Sequence, residues 1–372
     1  MTDARPLRPR SPNLHSYRGL HFILFFSTIF AIVTCSMMSG YLNWNQIGHH
    51  LWILSSHIYN GSQQARDSFA MKVMSSGMFN TSNKRTAAAM QHQLACKIFR
   101  KLSSLPFTIN SSEPPFSKMS SWVNALKQPR LDKAMGANQD DHRTCAVVSS
   151  AGALLGSNLG SEIDTHDYVM RFNSAPTAGF EKDVGRKTSI RLMNSQILAK
   201  KSFNFTKSSL YKNIPLLVWD PAPQSLDLKQ WFHHPDFDFF PTFLRRRQRQ
   251  PNQYLYLIHP AFYWGLWDIL RENLNEELPR NPPSSGFIGL MLMLWLCDEV
   301  EAYEFLPSVR FTDLCHYHQN LWIRECSTGA YHPLLLEKRI LRLLSISTPN
   351  DVYNGRAAIH GFRGMSWSKC ET

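Results

Sequence analysis

Short, mainly apolar runs, each ending at or before a small or polar residue, recur through the central part of the chain. They cover residues 145–149, 168–172, 189–193, 216–219 and 254–258, and helical stretches, notably 262–276, intervene. Buried strands of a parallel sheet have this character, because both of their faces are covered. Strands that alternate with helices predict an α/β domain with a mainly parallel sheet. The 372 residues, 43% of them apolar, suffice for a sizeable core.

Polar residues follow three of these predicted strands directly. Ser150, Asn173 and Asn194 each stand at a predicted strand end. In open α/β sheets, ligands bind at the carboxyl ends of the strands. We therefore expect these three side chains to belong to a binding site.

A second candidate site lies at the start of a predicted buried helix. Residues 287–297 are apolar throughout, which is typical of a helix that is covered on all sides. Two prolines precede it, Ser284 or Ser285 can cap it, and Gly286 lets a ligand approach closely. The first N–H groups and the positive end of the helix dipole favour an anion there. The alternative is a plain N-cap on a core helix.

The N-terminal region has the pattern of a membrane anchor. Residues 19–42 include no Asp, Glu, Lys or Arg, and a helix of about 20 such residues crosses a bilayer. Arginines precede this segment and no Lys or Arg follows it closely, so the positive-inside rule predicts a cytosolic N-terminus. The predicted order is a cytosolic tail (1–18), a transmembrane signal-anchor (19–42), a polar stem (43–95) and a luminal globular domain (96–372). The alternative is a cleaved signal peptide.

The cysteines and the N-glycosylation motifs are consistent with a location of the globular domain in the lumen. Cys35 lies in the apolar segment, and the other cysteines form an even set: Cys96, Cys145, Cys297, Cys315, Cys326 and Cys370. An even set in an oxidising compartment predicts three disulfides, whose pairing the spacing alone leaves open. N-glycosylation acceptor motifs follow the anchor at Asn60, Asn80, Asn110 and Asn204.

The net charge of +12 is compatible with nucleic acid, an anionic membrane surface or an anionic small substrate. The densest basic run includes Arg245, Arg246, Arg247 and Arg249, and its pattern predicts a solvated loop. No nucleic-acid motif accompanies this run, so we expect no nucleic-acid partner.

Two short motifs allow a metal interpretation. Asp236 and Asp238 form the D-x-D by which many nucleotide-sugar transferases hold a divalent cation. Cys315, His316, His318 and Cys326 offer zinc ligands, although a short-range disulfide competes for both cysteines. The sequence has neither G-x-G-x-x-G nor the Walker phosphate loop.

His332 precedes Pro333 and an amphipathic stretch, 334–344. An imidazole titrates near neutral pH, so one interpretation is a general base. The other is a helix cap or a packed ring.

Four segments together resemble the sialylmotifs of animal sialyltransferases. Residues 145–196 are similar to the long motif, and 281–307 to the short motif. Residues 315–318 are similar to the third motif, and His332 with Glu337 matches the His-x4-Glu motif. The segments keep the family's order and spacing, and the sequence is most similar to the β-galactoside α-2,6 type.

The resemblance implies site residues and cysteine pairs. Ser150, Asn173, Asn194, Ser284, Ser285, Gly286, His316 and Thr328 would bind the donor. Gln196, Asp236, Tyr331 and Lys338 would bind the acceptor, and His332 would be the general base. The implied disulfides are Cys145–Cys297, Cys315–Cys326 and Cys96–Cys370.

The resemblance also implies a fold and an activity. The fold would be a single Rossmann-like domain, a GT-A variant of the metal-independent kind. The activity would be inverting transfer of sialic acid from CMP-sialic acid to the 6-hydroxyl of terminal β-galactose, by a single-pass type II Golgi membrane protein that needs no cofactor. Alternatives are another linkage, a metal-dependent transferase using Asp236 and Asp238, or a glycan-binding relative without transfer. Homodimer formation stays open.

Overall fold

A computed structural model of the chain describes residues 84–135, 142–272, 281–323, 326, 329, 331–363, 365 and 370. The predicted tail, the predicted anchor at 19–42, most of the predicted stem, and residues Asn60, Asn80 and Thr328 lie outside this part. Within the described residues, no helix has both the length and the apolar character that a membrane span requires.

The described residues form a seven-stranded sheet, and its strands follow the predicted apolar runs closely. The strands are β1 (Thr144–Val148), β2 (Tyr168–Phe172), β3 (Ile190–Asn194), β4 (Leu216–Trp219), β5 (Leu255–Leu257), β6 (Glu299–Tyr303) and β7 (Arg356–His360). Their order is β5-β4-β3-β2-β1-β6-β7. All neighbouring pairs are parallel except β6 and β7. The predicted α/β class with a mainly parallel sheet is therefore confirmed.

The strand order places a switch point between β1 and β6. Strands β1 to β5 lie side by side in sequence order. The next strand, β6, pairs with the opposite edge of β1. In open α/β sheets, the crevice for ligands lies at such a point, outside the carboxyl ends of the strands.

Helices connect the strands. They are α1 (Lys84–Ser103), α2 (Ser120–Leu126), α3 (Leu131–Ala134), α4 (Gly160–Ile163), α5 (Glu181–Val184), α6 (Gln196–Ala199), α7 (Leu228–His233), α8 (Phe240–Arg249), α9 (Pro260–Glu272), α10 (Ser285–Leu296), α11 (Leu334–Leu344) and α12 (Pro349–Tyr353). Helix α1 runs through residue 96, where the sequence places the boundary between stem and globular domain.

Helix α10 is the predicted apolar helix, and it packs against β1, β2, β3 and β6. Residues 287–294 are all buried. Burying a large apolar side chain contributes about 1.5–3 kcal/mol. Gly289 permits the close approach, because an added Cβ would lie 2.6 Å from Met170 Sδ and 2.5 Å from the Phe172 ring. The prediction of a helix that is buried on all sides is confirmed.

The basic run at 245–249 is not the solvated loop that its charge predicts. It belongs to α8, and Arg246 and Arg247 are buried. Arg246 donates to the Tyr211 carbonyl at 2.6 Å, and Arg247 donates to the Ala125 carbonyl at 3.0 Å. The prediction was wrong because backbone carbonyls satisfy these guanidinium groups, so burial leaves few N–H groups without a partner.

Three disulfides are present, in the pairing that the resemblance implies: Cys96–Cys370, Cys145–Cys297 and Cys315–Cys326. Because Cys315 and Cys326 are bonded to each other, they are not zinc ligands. Among the described sequons, Asn110 and Asn204 are exposed.

Candidate active site

A cavity of about 330 Å³ opens at the carboxyl ends of β1 and β6, at the switch point of the sheet. Its lining includes most of the predicted donor residues and the predicted base: Ser150, Asn173, Asn194, Ser284, Ser285, Gly286, His316 and His332. Segments that lie far apart in the sequence therefore meet at one site.

Asn173 and Asn194 are tied to each other at the ends of neighbouring strands. Asn173 has a left-handed backbone conformation (φ 46°), which Asn tolerates better than most residues. Its side-chain Oδ1 accepts the N–H of Asn194 at 3.0 Å. Arg191 Nη1 donates to the carbonyls of Asn173 and Ala175, each at 3.0 Å. These bonds fix the loop that follows β2.

Two buried arginines lie on β2 and β3, shortly before these asparagines. Arg171 and Arg191 are register partners on β2 and β3, and each is 1% exposed. Burial lowers the pKa of both guanidinium groups, that of Arg171 to about 10. Within the described part of the chain, neither pairs with a carboxylate. Asp164 lies within electrostatic reach of Arg171. The charge of Arg191, which is bonded to the carbonyl of the cavity-lining Asn173, favours an anionic ligand.

The start of α10 forms another wall of the cavity. Ser284 is the N-cap, and its Oγ accepts the N–H of Phe287 at 3.1 Å. The Ser284 N–H and Oγ–H donate to the two carboxylate oxygens of Glu337, at 2.7 and 2.6 Å. Burial raises the Glu337 pKa to about 7, against these two bonds, which act to lower it. Glu337 thus links α11 to the helix end that is expected to bind the donor.

His332 lies directly beside this helix end. Its Nδ1 is 2.8 Å from the Pro282 carbonyl oxygen. A carbonyl can only accept, so Nδ1 carries the proton and Nε2 of the neutral ring keeps its lone pair. Burial lowers the pKa of His332, although the hydrogen bond to the Pro282 carbonyl acts to raise it. A neutral ring with a free acceptor nitrogen is the form that a general base needs.

Trp219 connects His332 to the start of α10. Its Nε1 donates to Ser285 Oγ at 2.8 Å, and its ring centroid lies 6.2 Å from that of His332. The predicted base and the predicted anion site therefore share one buried support at the end of β4.

His316 lies on the loop closed by Cys315–Cys326. Its Nδ1 lies 2.6 Å from Gln319 Oε1, and its ring stacks on that of His318 at 5.5 Å. The His318 pKa falls to about 4 through burial and the nearby charges of His316 and Arg191. Tyr317 N–H donates to the Ser150 carbonyl at 3.1 Å, which holds this loop against the turn after β1.

Three of the predicted acceptor residues, Gln196, Asp236 and Tyr331, lie outside the cavity lining. The Tyr331 ring lies 4.9 Å from the His332 ring. Burial raises the Tyr331 pKa, and the charges of Asp236 and Asp220 add to this effect. Gln196 Oε1 accepts from Lys200 Nζ at 2.7 Å, and Lys200 lies 4.8 Å from the Phe237 ring centroid.

Lys338, which the resemblance assigns to the acceptor, lines the cavity with the donor group instead. Thr328 lies outside the described residues. Asp236 and Asp238 are exposed, and Asp236 donates its backbone N–H to Asp220.

Trp219 and Asp220 were not singled out as site residues from the sequence. They directly end β4, so the strand-end rule that identified Ser150, Asn173 and Asn194 could have found them.

Comparison with known proteins identifies the family. The model of glycosyltransferase family 29 (sialyltransferase) matches residues 88–348. Beta-galactoside alpha-2,6-sialyltransferase 2 of Homo sapiens is 48% identical over 286 residues, covering 76% of this chain and 52% of that protein. The Bos taurus protein of the same name is 46% identical over 283 residues, covering 76% and 56%.

The chain thus spans about half the length of the curated relatives it matches. A solved structure, described as a mammalian sialyltransferase, is 20% identical with a TM-score of 0.39, over 68% of this chain and 88% of that one. The family match covers well over half of the chain and includes all four sialylmotif-like segments. The chain belongs to glycosyltransferase family 29, the sialyltransferases.

Proposed function

We propose that the chain transfers sialic acid from CMP-sialic acid to the 6-hydroxyl of terminal β-galactose. The observation that carries the proposal is His332, whose Nε2 is an acceptor beside an anion-binding helix end. The family and the name of the 43–48% identical relatives support the substrate class and the linkage.

The donor is anionic, since it carries a phosphate and a carboxylate. Ser150, Asn173 and Asn194 hold the nucleotide and its phosphate. Ser284, Ser285 and Gly286 hold the carboxylate and the phosphate at the start of α10, where N–H groups and the helix dipole favour negative charge. The buried charge of Arg191 adds to this preference.

The acceptor hydroxyl at galactose C6 is a poor nucleophile until it loses its proton. His332 Nε2 takes that proton while the oxygen attacks the anomeric carbon of sialic acid. The bond to the phosphate oxygen breaks on the opposite face, so the configuration inverts and CMP departs with the electron pair. General-base assistance contributes roughly 10²–10⁴-fold.

Ser285, Gly286 and His316 stabilise the charge that develops on departing CMP. The mechanism assigns this role to protein groups and needs no metal ion. Activity that persists in the presence of a chelator is therefore expected, and loss that added cation restores would contradict the proposal.

The site of action is the Golgi lumen, with 19–42 as a type II anchor and 43–95 as a stem. Three disulfides and two exposed described sequons support an oxidising secretory compartment.

The direct test is incubation of the protein with CMP-sialic acid and N-acetyllactosamine, followed by determination of the product linkage. His332→Ala should lower kcat by roughly 10²–10⁴-fold while CMP affinity stays nearly unchanged. His234→Ala, at an exposed histidine, is the matched control and should retain full activity. A 2,3-linked product would refute the linkage, and equal losses of turnover and CMP affinity would show that the His332 ring is structural.

A further inference from the structure

Asp220 is a buried carboxylate that the mechanism above does not use. It follows β4 directly and is 0% exposed. Its Oδ2 accepts from Trp231 Nε1 at 2.8 Å and from the Asp236 N–H at 3.0 Å. Its Oδ1 accepts the Phe237 N–H at 3.4 Å. Within the described chain, Asp220 has no cationic partner, so backbone and indole N–H groups take the place of a counter-ion.

The backbone of Asp220 is also fixed. Tyr263 Oη donates to the Asp220 carbonyl at 2.6 Å and accepts the Ala222 N–H at 3.0 Å. The residue before it, Trp219, supports Ser285 and His332. Successive strand residues point to opposite sides. At the end of β4, the side chain of Trp219 therefore supports the start of α10, and the side chain of Asp220 supports residues 236–237.

The 236–237 segment adjoins the predicted acceptor residues. Lys200 bonds to Gln196 and lies over the Phe237 ring. Tyr331 lies within electrostatic reach of Asp236, and its ring contacts that of His332. The segment thus connects Gln196 with Tyr331, the residue next to the base. Residues 236–237 belong to neither a helix nor a strand. The described bonds from its backbone into the core are those to Asp220.

We propose that Asp220 is a positioning residue for the acceptor galactose, which acts through the backbone of Asp236 and Phe237. By accepting both N–H groups, it places the Asp236 carboxylate within electrostatic reach of Tyr331 and the Phe237 ring next to Lys200, which donates to Gln196. The inference rests on the proposed function, because it requires Asp236 to contact the acceptor. A carboxylate is needed because both oxygens must accept, whereas an amide offers only one acceptor.

The test is Asp220→Asn, which keeps the side-chain shape but turns one acceptor into a donor that faces another N–H. The KM for N-acetyllactosamine should rise about tenfold or more, because a small misplacement of a positioning group is costly. The Kd of CMP, measured by calorimetry, should change by less than about twofold, because Asp220 does not reach the cavity lining. A purely structural role would impair both measurements together.

Asp227→Ala is the matched control. Asp227 Oδ1 also accepts two backbone N–H groups, those of Lys229 and Gln230, at 2.9 and 3.0 Å. It lies in the same connection between β4 and α8 but makes no bond to residues 236–237. Its loss should leave the acceptor KM unchanged.

A double-mutant cycle tests whether Asp220 acts through Asp236. Asp236→Asn and Asp220→Asn should each raise the acceptor KM, and the combined variant should show much less than the product of the two effects. If Asp220→Asn does not fold, Trp231→Phe removes one donor to Asp220 and should raise the acceptor KM about threefold.

The outcomes separate this inference from the function on which it rests. An unaltered protein that neither transfers sialic acid nor binds galactose would overturn both. Normal transfer by the unaltered protein, with an unchanged acceptor KM in Asp220→Asn or in Trp231→Phe, would overturn the inference alone. Multiplicative effects in the double-mutant cycle would also overturn it.

Discussion

Replacing Glu337 with Gln should remove a large pH dependence of stability. Glu337 is buried under the N-cap Ser284, and burial raises its pKa from 4.5 to about 7. The folded chain therefore binds a proton at Glu337 more tightly than the unfolded chain does. Stability from this group is fully present below pH 4.5 and is lost as the pH rises through 7. One pKa unit corresponds to about 1.36 kcal/mol, so between pH 5 and 8 the loss is about 2–3 kcal/mol.

Urea unfolding of the wild-type protein and Glu337→Gln at pH 5, 6, 7 and 8 measures this loss as a difference between the two curves. The subtraction matters because His332, whose folded pKa is lowered, contributes stability that rises with pH. This contribution is present in both proteins and cancels. Glu272→Gln, at an exposed glutamate, serves as the control and should follow the wild-type curve. Parallel curves for wild type and Glu337→Gln would refute the reasoning.

Further predictions concern the base, its support and the disulfide loop. The acidic limb of the kcat/KM profile should have an apparent pKa below 6.5, because burial lowers the His332 pKa, and initial rates across pH check this. Trp219→Phe removes the bond to Ser285 and should lower kcat/KM about tenfold, with CMP affinity as a second readout. Replacing Cys315 and Cys326 together by Ser should cost about 3 kcal/mol in urea unfolding. It should also raise the donor KM, because His316 lies on the opened loop.

The sequence predicts the first five strands well because they are buried on both faces and are mainly apolar, with one arginine each in β2 and β3. It does not indicate β6 and β7 in the same way. β6 carries Glu299 and Glu301 at its less buried positions, while β7 is an antiparallel edge strand whose burial alternates. Charged residues in a half-covered strand resemble loop sequence, so periodicity alone does not identify them.

The candidate site shows the same division between local and long-range information. Ser150, Asn173 and Asn194 could be found because they follow predicted strands, and the Ser284 cap because it precedes an apolar run. The bond between Ser284 and Glu337 spans 53 residues, and nothing local indicates it. The burial of Arg246 and Arg247 likewise depends on carbonyls supplied by distant segments.

Helix α10 also bears on how the chain is made. It is apolar on every side, yet its 12 residues span only about 18 Å, against about 30 Å for the bilayer interior. On the proposed route through a translocation channel, this length favours passage of the helix over its release into lipid. Most of its packing surface, on β1, β2 and β3, has been synthesised before it, and β6 follows at once. The nascent chain can thus cover this apolar helix soon after it emerges, and the Cys145–Cys297 disulfide would then join the end of the helix covalently to β1.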